Sequence, residues 1–212
     1  SLAQEKRELV LKHSDELEVI LENGRYITHV LGHVIFETET GTIHCDSAIW
    51  DRGRATRLSG HVRFDDRDFR INSDSLYYDL RTQQATALGK KVELWSYADS
   101  IYAVGTHAFF DRQNNQLKMY NRPLLYLQYP DSAKMIEVLA DTIEFVSGTR
   151  QADAMGQVVI TSKDLTATSG QAHFDSEQDQ LELTIEPVAV RRNSRVSGEI
   201  ILVKFAESNI KN

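Results

Sequence analysis

The 212-residue sequence contains a single cysteine, Cys45, and three prolines. One thiol excludes an intramolecular disulfide framework and a cysteine-built zinc site, and it leaves the redox compartment open. So few prolines, with eleven glycines, exclude a collagen-like or low-complexity chain. No apolar run approaches the roughly 20 residues that a membrane-crossing helix needs. Positive charge is also short: 24 Lys and Arg face 31 Asp and Glu, for a net charge of −7. A general nucleic-acid binder needs a basic face to release counterions from phosphates, so that class is disfavoured. The remaining composition, 41% apolar and 26% charged, is that of a globular chain. The opening Ser1-Leu2-Ala3-Gln4-Glu5-Lys6-Arg7 is too polar for an export leader. Ser1-Leu2 reads as an expression remnant, so a cytosolic protein and an exported domain already without its leader both fit.

Helical periodicity is missing as well. The best candidate, Gln4 to Leu11, is short and terminal. What the chain has instead is a repeat. An anchor residue, often Asp, is followed two positions on by a small or aliphatic residue and four positions on by a large apolar one. The clearest copies are Asp46-Ser47-Ala48-Ile49-Trp50, Asp74-Ser75-Leu76-Tyr77-Tyr78 and Asp141-Thr142-Ile143-Glu144-Phe145. Thr106 to Phe110 and Gly170 to Phe174 keep the pattern without the first acid, and Asp15 to Val19 and Gly198 to Leu202 are weaker copies. The large apolar position thus falls at Val19, Trp50, Tyr78, Phe110, Phe145, Phe174 and Leu202, in steps of 31, 28, 32, 35, 29 and 28 residues. A second marker, Gly-x-Val, keeps the same phase at Gly32-His33-Val34, Gly60-His61-Val62 and Gly156-Gln157-Val158. It recurs with one inserted residue at Gly89 to Val92, and in degenerate form at Asn121-Arg122-Pro123-Leu124 and Glu186-Pro187-Val188. Two markers in one phase define about seven degenerate repeats.

Alternation with period two in Val34-Ile35-Phe36, Val62-Arg63-Phe64, Leu76-Tyr77-Tyr78 and Leu181-Glu182-Leu183 makes the repeats strands. Turn residues punctuate them at Glu22-Asn23-Gly24, Asp51-Arg52-Gly53, Gln113-Asn114-Asn115 and Ser147-Gly148. The chain is therefore all-β. A 30-residue unit holds two strands and two turns, and stacked units bury one apolar face against another sheet. Open-ended stacking leaves strand edges at both ends. No linker or composition break divides the chain. Residues 1–10 are expected to be a flexible N-terminal segment, 11–205 one domain, and 206–212 a C-terminal tail.

Gly-x-Val followed by Ser/Cys-Asp-x-φ-x-aromatic-Asp (φ, an apolar residue), at about 30-residue spacing, resembles the OstA-like family. Its members include the periplasmic lipopolysaccharide-transport proteins LptA and LptC and the N-terminal domain of LptD. The segments Gly60 to Phe64, Asn72 to Asp79 and Gly156 to Ser162 carry the similarity best, and Ala167 to Gly170, Leu181 to Leu183 and Pro187 extend it. The resemblance spans roughly residues 11 to 205. It implies an open β-jelly-roll of stacked antiparallel V-shaped turns whose interior shelters lipopolysaccharide acyl chains. It further implies a periplasmic location after removal of an export leader, and joining to other OstA-like domains end to end through terminal strands, with self-association. The lipid groove would be lined by Val34, Phe36, Trp50, Val62, Phe64, Leu76, Tyr78, Leu94, Phe110, Phe145, Ile160 and Phe174, with Ala48, Val92, Ala108, Ile143, Val158 and Ala172 between them. The same positions would fill a dry sandwich equally well. Only an open seam turns core into groove.

Other constellations carry less. Asp46, Asp74 and Asp141 share one phase, and Asp51, Asp79, Asp111 and Asp175 another. No Gly-Gly-x-Gly-x-Asp run accompanies them, and aspartates flanking strands ordinarily bond turn amides. The seven histidines form no metal-ligating motif; His33 and His61 share one slot and are expected on a solvated outer face. His44-Cys45-Asp46 looks like a nucleophile cluster, but adjacent strand residues point to opposite faces. Arg191, Arg192 and Arg195 are the one basic cluster, read as a solvated edge. The expectation is a protein without catalytic residues, metal or cofactor, binding lipopolysaccharide rather than nucleic acid. Two alternatives stay open: a carbohydrate-binding or polysaccharide-processing β-helix, and a ligand-free structural β-repeat module.

Overall fold

The computed structural model describes residues 9–204, apart from 53, 98, 100, 128–134, 147, 176 and 179. The N-terminal segment through residue 8, the 206–212 tail, and the turn positions Gly53 and Ser147 therefore lie outside the described residues. Of the helix candidate, only Leu9 to Leu11 are described, and Val10 and Leu11 are strand.

Every element among the described residues is a strand. The chain folds back and forth in passes, each bent once at a corner into two arms. The first pass is β1 (Val10–His13) and β2 (Glu16–Glu22). Six unbroken passes follow: β3 (Arg25–Glu37), β4 (Thr42–Asp51), β5 (Ala55–Asp65), β6 (Phe69–Asp79), β7 (Gln84–Ser96) and β8 (Ile101–Asp111). Then come β9 (Gln116–Tyr120) with β10 (Leu124–Leu127), and β11 (Ile136–Leu139) with β12 (Thr142–Val146). The stack closes with β13 (Gln151–Thr161), β14 (Leu165–Asp175), β15 (Gln180–Thr184) with β16 (Val188–Arg191), and β17 (Ser194–Ser197) with β18 (Ile200–Lys204). Among the described residues, eighteen strands thus make thirteen passes, about two for each of the roughly seven repeats. All pairings are antiparallel, so the coil of a parallel β-helix is not formed.

The repeat phase becomes a ladder running the length of the stack. On the first arm the partners are Val19, Thr28, Trp50, Thr56, Tyr78, Ala85, Phe110, Leu117, Phe145, Ala152, Phe174, Leu181 and Val203. Outward-running passes supply the aromatic side chains and return passes supply smaller ones, so bulk alternates along the row and the layers interdigitate. The second arm has its own row: Leu11, Phe36, Ile43, Phe64, Ile71, Leu94, Ala103, Leu125, Val138, Ile160, Ala167, Ala189 and Val196. The two inner faces enclose one continuous apolar core.

Two of the expected positions differ at the ends. Val19 keeps its place in the ladder but is about half exposed, because no pass among the described residues lies beyond it. Leu202 pairs with Glu182 on the outer face, and Val203 takes the inward position instead. The weak terminal copy is out of step by one residue, which in a strand reverses the face.

Gly-x-Val is the corner. Gly32 and His33 (φ +73° and +47°), Gly60 and His61 (+77° and +45°), and Gly156 and Gln157 (+75° and +42°) are successive left-handed residues. Each such pair breaks the register, as between Leu31 and Val34 or Ser59 and Val62, and bends the strand as a bulge does. The degenerate copies do the same work with Asn121 and Arg122 (+66° and +62°) and Ile185 and Glu186 (+61° and +54°).

The anchoring aspartate explains the glycine. A Cβ on Gly32, Gly60 or Gly156 would lie 2.1–2.3 Å from the carboxylate of Asp15, Asp46 or Asp141, and at Gly89 it would meet Asp74. Where the anchor is Gly170, the corner residue is Ile185, whose side chain occupies the space a Cβ on Gly170 would need. Where the anchor is Thr106, the corner is Asn121-Arg122. In the Asp–Gly copies and, in reverse, in the Gly170–Ile185 copy, bulk on one pass is answered by a missing Cβ on its neighbour; the Thr106 copy has no such glycine.

The residue before the anchor completes the bend. Cys45 Sγ, Ser73 Oγ and Ser169 Oγ each donate to the carbonyl two residues on, at 3.2, 3.0 and 2.8 Å. Three of the four closing aspartates form turns as expected: Asp79, Asp111 and Asp175 each accept two backbone N–H groups from the following loop. At Asp51, by contrast, the main-chain carbonyl accepts from Arg54 and the carboxylate lies 3.7 Å from Arg25. Burial pushes the Asp111 and Asp175 carboxyls up, yet these donors and the amides of Gln84 and Gln151 hold both below the ordinary carboxylate range.

Candidate functional site between the two arms

The structure brings all twelve expected groove residues to one interior. Trp50, Leu76, Tyr78, Phe110, Phe145 and Phe174 line the first arm; Val34, Phe36, Val62, Phe64, Leu94 and Ile160 line the second. None is more than 9% exposed. Aromatic pairs meet across the gap between arms: Phe36 with Trp50 and Phe64 with Tyr78, at ring-centroid separations of 5.3 and 6.4 Å. Phe69 of the second arm reaches Phe110 of the first at 4.5 Å. A void of about 10 Å³ beside Leu125, Val138, Ala152 and Phe174 offers at most room for one water, and its walls are apolar. In this structure the interior is a packed core.

Its closure has a specific chemistry at the mouth, where the arm tips meet. Arg112, in the loop after β8, donates to Thr40 Oγ1 and lies 3.8 Å from Asp66 Oδ2; both residues sit in second-arm tip loops. Thr40 in turn donates to Asp66. Further along, Asp99 at a second-arm tip accepts the backbone N–H groups of Gly148 and Arg150 at a first-arm tip, at 3.1–3.2 Å. Sequence reasoning missed both contacts.

The ends are different. On β2, Leu17, Val19 and Leu21 continue the inner face of the buried Val30 and Thr28 but are 48%, 51% and 62% exposed. On β17, Val196 is exposed in the same way.

The outer surface carries the remaining candidates. His33 and His61 lie on it, each with Nδ1 2.7 Å from a corner carboxylate, Asp15 or Asp46. That hydrogen bond, helped by the carboxylate charge, raises both imidazole pKa values above the ordinary one. Arg191, Arg192 and Arg195 are exposed at the last second-arm edge, as expected. Trp95, Tyr102 and Tyr126 form an outer aromatic column, stacked at 5.1 and 5.6 Å with interplanar angles of 26° and 20°. Their faces are turned to one another and not outward, unlike a sugar-stacking platform. No group of three or more metal-ligating side chains converges among the described residues.

Cys45 faces the interior, away from His44 and Asp46, and burial pushes its thiol pKa up to about 11. It is therefore expected to resist alkylation until the protein unfolds. Because serine fills the same slot at Ser73 and Ser169, Cys45→Ser should shift stability by less than about 1 kcal/mol in urea titrations. A larger loss would show that the slot at Cys45 is not equivalent.

Comparison with known proteins agrees with this geometry. The sequence model of the OstA-like protein family matches residues 6–103. No curated protein sequence matches. Among solved structures, the chain is similar to LptH from Pseudomonas aeruginosa, described as the LptA-homologous periplasmic component of the conserved lipopolysaccharide transport device. That likeness has a TM-score of 0.51 at 13% identity and covers 65% of this chain and 95% of LptH. Residues 6–103 thus carry the OstA-like sequence pattern, and the chain folds as an LptA-like β-jelly-roll.

Proposed function

We propose that the protein is a noncatalytic, periplasmic lipid-binding and bridging protein that shelters lipopolysaccharide acyl chains on their way to the outer membrane. The observation that carries this reading is the inner face, whose traced rows run uncharged through thirteen passes and emerge uncovered at the first, where Leu17, Val19 and Leu21 are exposed. A self-contained sandwich has no use for an apolar face left bare in line with its core. An end that joins another such domain would bury that face and continue the strip. The family match and the LptH-like fold support the same reading. The net charge of −7 cannot draw in an anionic lipid, so affinity rests on apolar contact, roughly 0.8 kcal/mol for each methylene removed from water.

The test is photo-crosslinking from benzoylphenylalanine placed at Phe64, Tyr78 or Phe110, and separately at Val19. With lipopolysaccharide supplied, the three interior positions are expected to label lipid, and Val19 to label a second OstA-like domain. Folded protein that labels no lipid from any interior position would overturn the lipid reading. Absence of a protein adduct from Val19 would remove the bridging half.

A further inference from the structure

We propose that the mouth between the arm tips is a gate, held shut by Arg112 on Thr40 and Asp66 and by Asp99 on Gly148 and Arg150, and that acyl chains pass sideways through it. This rests on the lipid reading above, which needs some way of turning a packed core into a groove.

Three features of the closure point to a gate. First, each arm is tied by continuous backbone ladders. The arm tips face each other without a strand pairing; what joins them there is side chains and loop amides. Arg112 and Thr40 are separated by 72 residues, and Asp99 and Gly148 by 49. Second, the ties are polar and lie above an apolar contact. Asp66 accepts in the tip loop whose backbone N–H bonds Phe69 O at 2.9 Å, and Phe69 packs on Phe110, two residues before Arg112. Parting the arms would expose Phe64, Phe69 and Phe110 together, which is the surface an acyl chain would cover. Third, Arg112 and Asp66 are mostly buried, with side chains 18% and 6% exposed. A charge pair so placed is held firmly while intact, and it gains hydration when it separates. Such a pair favours two discrete states over gradual loosening.

The corners can act as the hinge. The left-handed pairs bend the strands with the register already broken, so an arm can swing there without disturbing either ladder.

Two opposed variants test this. In Arg112→Gln, which keeps bulk but loses the charged fork, Ala85→Cys in a Cys45→Ser background reports opening without any lipid. Ala85 is buried beside Phe110 at the first-arm tip, whereas Cys45 sits at the corner, where a swing of the arm exposes least. Maleimide labelling of the Ala85→Cys thiol is expected to speed up about tenfold, the scale of one lost charge-assisted hydrogen bond. Uptake of lipid A, read from Phe64 photolabelling, should rise with it. In the reverse variant, Thr40→Cys with Arg112→Cys in a Cys45→Ser background, a short bismaleimide bridges the tips. The bridged protein is expected to lose lipid A uptake, while the same protein with both thiols capped singly retains it.

Uptake by the bridged protein at the unbridged rate would overturn the gate and place loading at the stack ends. Unchanged labelling of the Ala85→Cys thiol in both Arg112→Gln and Asp66→Asn would overturn the latch. Faster labelling with no lipid A uptake in any protein would support the latch and overturn the lipid reading alone.

Discussion

Phe110→Ala is expected to destabilise the protein by about 3–5 kcal/mol, read as a lower urea midpoint at unchanged slope. Phe110 is 4% exposed, stands in the first-arm ladder between Ala85 and Leu117, and touches Phe69 of the other arm. Both ladder neighbours are held in strands by backbone bonds, so the site cannot collapse to refill the cavity. Phe109→Ala is the internal control. It removes the same side chain from the adjacent residue, which points to the outer face opposite Thr86 and Lys118 and is only half-buried. Its cost should stay below about 1.5 kcal/mol. Equal costs at the two positions would mean that the arms do not pack as described. Combining Phe110→Ala with Phe69→Ala should cost less than the two separately, by about 0.5–1.5 kcal/mol, because one ring contact is then counted twice.

The second large effect is at a corner. Gly60→Ala is expected to cost about 2–4 kcal/mol, combining a left-handed backbone with forced displacement of Asp46. Gly60 has φ +77°, and a Cβ there would sit 2.2 Å from Asp46 Oδ2 and 2.8 Å from Asp46 Cβ and Cγ. Gly24 separates the two causes. It has φ +76° at the β2–β3 turn with nothing within 4 Å, so Gly24→Ala bears the backbone cost alone, about 1 kcal/mol. Adding Asp46→Ala to Gly60→Ala should recover part of the loss, which thermal denaturation of the four proteins would show. If Gly24→Ala and Gly60→Ala were equally costly, the Asp–Gly fit would have no energetic content.

These two sites also show what can be read from a one-dimensional sequence. The inward phase of Phe110 is legible because a strand's side chains alternate strictly, and a marker repeated every 28 to 35 residues keeps pointing the same way. Aspartates 79, 111 and 175 are legible because an Asx turn is local. The partnership of Asp46 with Gly60 is harder, since it joins residues on successive passes. Its signal is present nonetheless: the anchor precedes the corner by 14 to 17 residues throughout, and where the acid is missing, so is the glycine. The mouth contacts are a different matter. Which first-arm tip meets which second-arm tip depends on the twist accumulated over several passes, so nothing near Arg112 names Thr40 as its partner. The slip at Val203 has a smaller cause. One residue of corner length decides the face of the last strand, and Gly198-Glu199 carries no Val marker to fix it.

The described passes number thirteen, and that odd parity has a directional consequence. Passes alternate, so the first described pass, β1 into β2, and the last described one, β17 into β18, run the same way from second arm to first. Copies joined nose to tail with their arms in line would therefore meet through parallel strands, although every junction inside the chain is antiparallel. Such a nose-to-tail filament would be polar, and because parallel pairing is slightly weaker per residue it would part at its seams before any subunit frays.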